Sequence, residues 1–190
     1  MSIQNASGEG TIMTAQDFQE FVERKTAQAK SEKAVDWDKR RNDWLQELEG
    51  LYEQMEKHLQ PYGIEIRRHL VPLEEEYLGA YQAHELTFDI GHDKIVAKPI
   101  GAQLIGARGR VDLSGPRATL KIVLLEKGGP ALKYRVTERG GTVKESSHSM
   151  LRGDAGDAGW YIATTPPPKS SVVQFNEDSF RDAIMEVSSG

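Results

Sequence analysis

Apolar residues recur every three or four positions from Phe18 to Leu59, and alternate singly with polar ones from Ile64 onward. The first spacing is that of a helix and the second that of a strand. The pattern predicts two N-terminal helices followed by a β-rich body. The first helix is expected over 15–32. Thr14 and Asp17 resemble a capping box with Asp in the place of Glu. Its apolar side (Phe18, Phe21, Val22, Ala29, with Lys25) is narrow. The second helix starts at Asp36, a good N-cap residue. Trp37, Trp44, Leu48, Leu51, Met55 and Leu59 then fall three, four or seven apart, and Leu45 and Tyr52 widen the stripe. Pro61-Tyr62-Gly63 ends it. Such a stripe either packs on the chain's own sheet or makes a hairpin or dimer seam. It lasts about three heptads, the lower edge for a coiled coil. Two tryptophans on one helix suit a partner anchor as well as a core.

After Gly63 the alternating runs are Ile64 to Leu70, Leu86 to Ile90, Ile95 to Ile100, Leu104 to Leu113, Ala118 to Leu125 and Leu132 to Val136. Short turn signals separate them, notably Gly91-His92-Asp93 and Ser114-Gly115-Pro116-Arg117, and no helical pattern intervenes. This predicts hairpins in an antiparallel meander, a curved sheet or small open barrel of about six to eight strands. Residues 139–159, rich in Gly, Ser and Asp, read as a mobile loop. Trp160 to Ala163 reads as a short strand, Pro166-Pro167-Pro168 as a polyproline II segment, and Val172 to Phe175 as an edge strand. Asn176 caps a short C-terminal helix with Phe180, Ala183, Ile184 and Val187 inward. The expected class is α+β in one domain. Its parts are a flexible leader 1–12, helices 13–60, a β body 61–138, the loop 139–159, and final strands with a helix 160–190.

Composition narrows the functional classes. A hydrophobic fraction of 38% is enough for a folded core, and a net charge of −5 argues against a general nucleic-acid-coating role. The absence of cysteine removes disulfides, thiolate zinc sites, iron–sulfur clusters and cysteine nucleophiles. No apolar run is long enough to span a membrane and the N-terminus has no secretory pattern, so the expected location is cytoplasmic.

The best chemical candidate is Gly106 to Asp112. On a strand, Arg108, Arg110 and Asp112 share one face, with Lys121 on the next strand and Arg117 in the turn between them. Arg108, Arg110, Arg117 and Lys121 together can bind a phosphate or carboxylate bidentately. Gly106 and Gly109 would let a ligand approach. The plainer account is a solvated sheet face with cross-strand ion pairs, with the glycines marking a bulge. His69, His84, Asp89 and His92 are the only grouping that suggests a metal-dependent hydrolase, and no histidine pair has metal-ligand spacing. There is no phosphate loop and no serine elbow. A nuclease motif fails because Thr119 stands where the acid two before Lys121 is needed. Glu74-Glu75-Glu76 reads as a solvated loop.

The Asp36-Trp37 helix entry, Ile105 to Leu113 and the Trp160 to Pro168 ending resemble a family of uncharacterised bacterial proteins. The resemblance implies a bacterial cytosolic origin and no particular activity. The sequence therefore predicts a non-enzymatic protein-interaction module, an acidic adaptor, immunity-like protein or accessory regulatory subunit, with no cofactor and no metal. Its partner is expected to be another protein, or a second copy through the N-terminal helices, at Trp37, Trp44, Leu48, Leu51 and Met55. The alternatives are an anion-, nucleotide- or nucleic-acid-sensing β module using the Arg/Lys face, and the metal-dependent hydrolase.

Overall fold

The computed structural model of the chain describes residues 15–33, 36–102, 104, 106–137, 143–149, 151–152, 155–163 and 170–188. They belong to two units, 1–37 and 38–190. The first holds α1 (Ala15–Lys33), within a residue of the helix that the 3.6 period predicts. Phe18 and Phe21 stack with ring centroids 6.4 Å apart, and the Arg24 guanidinium lies 5.8 Å from the Phe21 centroid. The leader 1–12 and the Thr14 cap lie outside the described residues, as does Pro166-Pro167-Pro168.

The second unit is built on all but the first residue of α2 (Trp37–Leu59), a helix that ends in a 3-10 turn closed by Gly63 at φ 67°. β1 (Ile66–Glu75), β2 (Gly79–Ile90), β3 (Asp93–Gly101), β4 (Gly109–Ser114) and β5 (Thr119–Leu125) follow as antiparallel neighbours. The chain then leaves the sheet. β6 (Ala131–Thr137) and β7 (Val143–Ser149) pair as a separate hairpin, and the two-residue β8 (Leu151–Arg152) runs parallel to β10. β9 (Gly159–Ala163) returns beside β5, and β10 (Ser170–Gln174) lies beside β9. The result is an open antiparallel sheet of seven strands, followed by α3 (Glu177–Val187). This is the α+β arrangement that the pattern predicts. No helix among the described residues is long and apolar enough to cross a membrane.

Three stretches differ from expectation. The β1–β2 hairpin is much longer than the runs suggested, and Glu75 is a strand residue rather than part of a solvated loop. Both of its carboxylate oxygens accept from the Ala102 N–H, at 3.1 and 3.0 Å, and the Tyr81 hydroxyl donates to it. Leu104 to Leu113 is not one strand. The register shifts between Pro99 and Gly101, Gly106 takes φ 82°, and pairing resumes at Gly109. Residues 139–159, read as a loop, contain β7 and β8. β7 is Val-Lys-Glu-Ser-Ser-His-Ser, which has no apolar alternation to announce a strand.

The core lies between α2 and one sheet face. Trp44, Leu48, Leu51, Tyr52 and Met55 pack there with Leu86, Phe88, Ile95, Val111, Leu113 and Ile122, all at most 2% exposed. Burying each such aliphatic or aromatic side chain stabilises the fold by about 1.5–3 kcal/mol. Directional contacts fix the helix on the sheet. The Tyr52 hydroxyl donates to Ala97 O at 3.2 Å, and Trp160 Nε1 donates to Glu47 O at 3.3 Å. The Trp44 and Trp160 rings sit 6.1 Å apart. Asn176 and Ser179 form the capping box of α3 (Ser179 N–H to Asn176 Oδ1 3.0 Å, Asn176 N–H to Ser179 Oγ 2.9 Å). Phe175 packs on Phe180 with centroids 5.2 Å apart, and His58 from α2 touches both rings.

Candidate functional site

Alternation along β4 turns Gly109, Val111 and Leu113 inward toward α2, and Arg110 and Asp112 to the other face. Register then decides what the outer face can do. Asp112 lies opposite Lys98 on β3 and Lys121 on β5. The Arg110 guanidinium grips Asp112 with two bonds, Nε to Oδ1 at 2.6 Å and Nη2 to Oδ2 at 2.7 Å. Its fork, the part that would clasp a phosphate, is occupied by a carboxylate of its own strand. Lys98 is a member of this patch that the sequence did not offer, because strand pairing alone brings it there.

The four expected anion ligands do not converge. Arg110 and Lys121 share the outer patch. Arg108 lies beside α2 in a cleft of about 340 Å3, with Asp43, Glu47 and Trp160 in its lining, and pairs with Glu126 at 3.3 Å. Arg117 is exposed in the β4–β5 turn, where its backbone N–H donates to Val187 O at 3.0 Å and so holds the end of α3. Gly109 has a packing role, since a Cβ there would run into the Trp44 ring. Gly106 serves the bend before β4 through its positive φ.

The expected partner stripe on α2 is an internal surface. Trp44, Leu48, Leu51 and Met55 are covered by the chain's own sheet, and Trp37 is half-buried at the helix start. Beside the stripe, α2 carries an ionic network to the sheet. Glu49 pairs with His84 Nδ1 at 2.6 Å and with Arg68, whose Nε also reaches Glu56 at 2.6 Å. The Glu56 hydrogen bond, helped by the charge of both glutamates, raises the Arg68 pKa above its ordinary range. These groups are roughly one-third exposed, so the network fixes the position of α2 more than it stabilises the fold.

The sheet also separates the histidines. His84 faces α2, whereas His69 lies on the other face with its Nε2 3.2 Å from Thr87 Oγ1. His92 is exposed in the β2–β3 turn. Among the described residues no group of three or more acidic or histidine side chains can hold a metal ion.

A larger cleft, about 520 Å3, opens between the end of α2, the β2–β3 turn and α3. Leu59, Tyr62, Ile64 and Ile90 line it from the end of α2 and the β2–β3 region, and Ile184 and Met185 from α3. Asp89, Asp178, Arg181 and Asp182 complete the lining. The sequence reading missed this cleft because its walls come from three distant segments. Tyr62 (54% exposed) and Met185 (64% exposed) are the visible trace, apolar groups that the fold leaves uncovered.

No protein-family model, curated protein or solved structure matches the chain.

Proposed function

We propose that the chain is a non-enzymatic protein-interaction module and that it engages its partner through α1 rather than through α2. One observation carries this reading. α1 exposes Phe18, Phe21 and Val22 at 62%, 39% and 43% along one stripe. Positions 18, 21 and 22 follow the i, i+3, i+4 spacing by which an amphipathic helix enters a partner's groove, with Lys25 at i+7. An isolated helix of this length is marginal in water and gains stability mainly by packing an apolar face. Two stacked phenylalanines on such a helix form a surface that a partner would cover.

Site-specific photo-cross-linking in the native cell tests it. A photoreactive residue at Phe18, Phe21 or Val22 is expected to give one discrete adduct, either with another protein or with a second copy. The same group at Glu20, on the opposite side of α1, is expected to give none. Equal labelling from both sides, or no adduct from the stripe, would overturn the reading.

A further inference from the structure

We propose that the cleft between α3 and the β2–β3 turn binds a small ligand consisting of an apolar body and a cationic amine. This site is separate from α1 and does not depend on the interaction reading. The cleft volume of about 520 Å3 lies within the usual range for small-ligand sites. Its walls are aliphatic, and Met185, long and unbranched, adapts to an irregular apolar guest.

The charges select the sign of the head group. Among the described residues Arg181 is the only cation in the lining, and it is already held by three acceptors. Its Nη1 donates to the Tyr62 hydroxyl and to Glu177, both at 3.0 Å, and its Nη2 donates to Asp178. The Tyr62 hydroxyl and then Asp178 hold it more firmly protonated, and a ligand carboxylate or phosphate would have to compete with three acceptors already in place. Of the three lining aspartates, Asp178 is balanced by Arg181 and Asp89 by Arg67. Asp182 has no ion-pair partner among the described residues. An anion entering the cleft meets an excess carboxylate and a guanidinium already shared among three acceptors. An ammonium meets Asp182 while its apolar body lies against Ile184, Met185 and Ile90.

A matched series of single-chain probes tests this with the full-length protein. Decylammonium, decanol and decanoate share a tail and differ in head charge. Isothermal titration below the micelle concentration should show saturable one-to-one binding of decylammonium, about tenfold tighter than decanoate, with decanol between. Methyl resonances of Ile64, Ile90, Ile184 and Met185 should shift with the same midpoint. Asp182→Asn should weaken decylammonium about two- to fivefold, as expected for one exposed ion pair, and leave decanol unchanged. Met185→Ala should weaken all three probes. Both side chains are exposed, so the unfolding midpoint should hold and serve as the folding control. The proposal is overturned by any of three results: no saturable decylammonium binding, equal affinity for decanoate, or methyl shifts located elsewhere.

Discussion

At the scale of single residues, the most informative contact is between Gly109 and Trp44, because it turns an apparent ligand-binding glycine into a packing one. Gly109→Ala should cost about 1–3 kcal/mol by overpacking, and Trp44→Ala about 3–5 kcal/mol by leaving a cavity. The two sites touch, so their effects should not add. The added methyl has room once the indole is gone, and the double variant should be less destabilised than the sum of the singles. Urea unfolding of the four proteins measures this, and strict additivity would mean that the contact is not the cause. Tyr52 makes a second residue-scale prediction. Burial first, then the Glu49 and Glu85 carboxylates, raise its phenol pKa well above the ordinary value. In the unfolded chain that value is about 10. Below pH 10 both states keep the proton and Tyr52 contributes no pH dependence. Above pH 10 the unfolded chain releases it while the folded chain does not, so stability falls as pH rises. Tyr81, raised by burial and by Glu75, acts in the same direction. Tyr52→Phe should lose about 0.5–1.5 kcal/mol at pH 7 with its hydrogen bond, and should show a shallower decline between pH 10 and 11. An unchanged decline would assign it to other groups.

At the scale of elements, the α3 cap is a local device with a distant effect. Asn176→Ala removes the capping bond to Ser179 and should cost about 0.5–2 kcal/mol. Because α3 supplies one wall of the large cleft, hydrogen exchange should rise at its first turn and around Tyr62, which Arg181 contacts. Protection unchanged at Tyr62 would show that the helix holds its place without the cap. This cap was legible in the sequence, as were both N-terminal helices and the strands running from Leu86, each written in its own period. The extension of β1 and β2 was not. Val71 to Leu78 has three glutamates in a row, and only the tertiary bonds from Ala102 and Tyr81 reveal that Glu75 is held. β7 was hidden because its residues are polar. For the candidate site, the sequence showed which face Arg110 and Asp112 share, since alternation determines that. It did not show that Lys98 joins them or that Arg108 departs, since register and the bulge after Pro99 decide those.

At the scale of the whole molecule, the apolar surface is distributed unequally. α2, the more hydrophobic-looking helix, is consumed by the core, and α1, the weaker one, is left exposed. β1 ends the sheet as an edge strand carrying Arg67, Arg68, Glu74, Glu75 and Pro72, residues that discourage further strand addition. The proposed association through α1 leaves this edge free of any role. Phe18→Ala with Phe21→Ala should leave the unfolding midpoint of residues 38–190 within about 0.5 kcal/mol, as for surface changes, and should abolish the cross-linked adduct. A large fall in stability would mean that the stripe serves the chain's own fold.

The pairing of Leu125 with Gly159 has one more consequence. Between these residues the β6–β7 hairpin lies outside the sheet and β8 touches it only through its two pairs with β10, while both ends of the excursion are already in register. The entropy of closing such a detour grows only logarithmically with its length. A lineage can lengthen, exchange or shorten this stretch while the sheet keeps its alignment, and an engineer can graft a guest domain there. The limit is set by the small cluster in which Leu151 and Ala155 shelter Leu125 and Tyr161. Any replacement must bring apolar cover of its own.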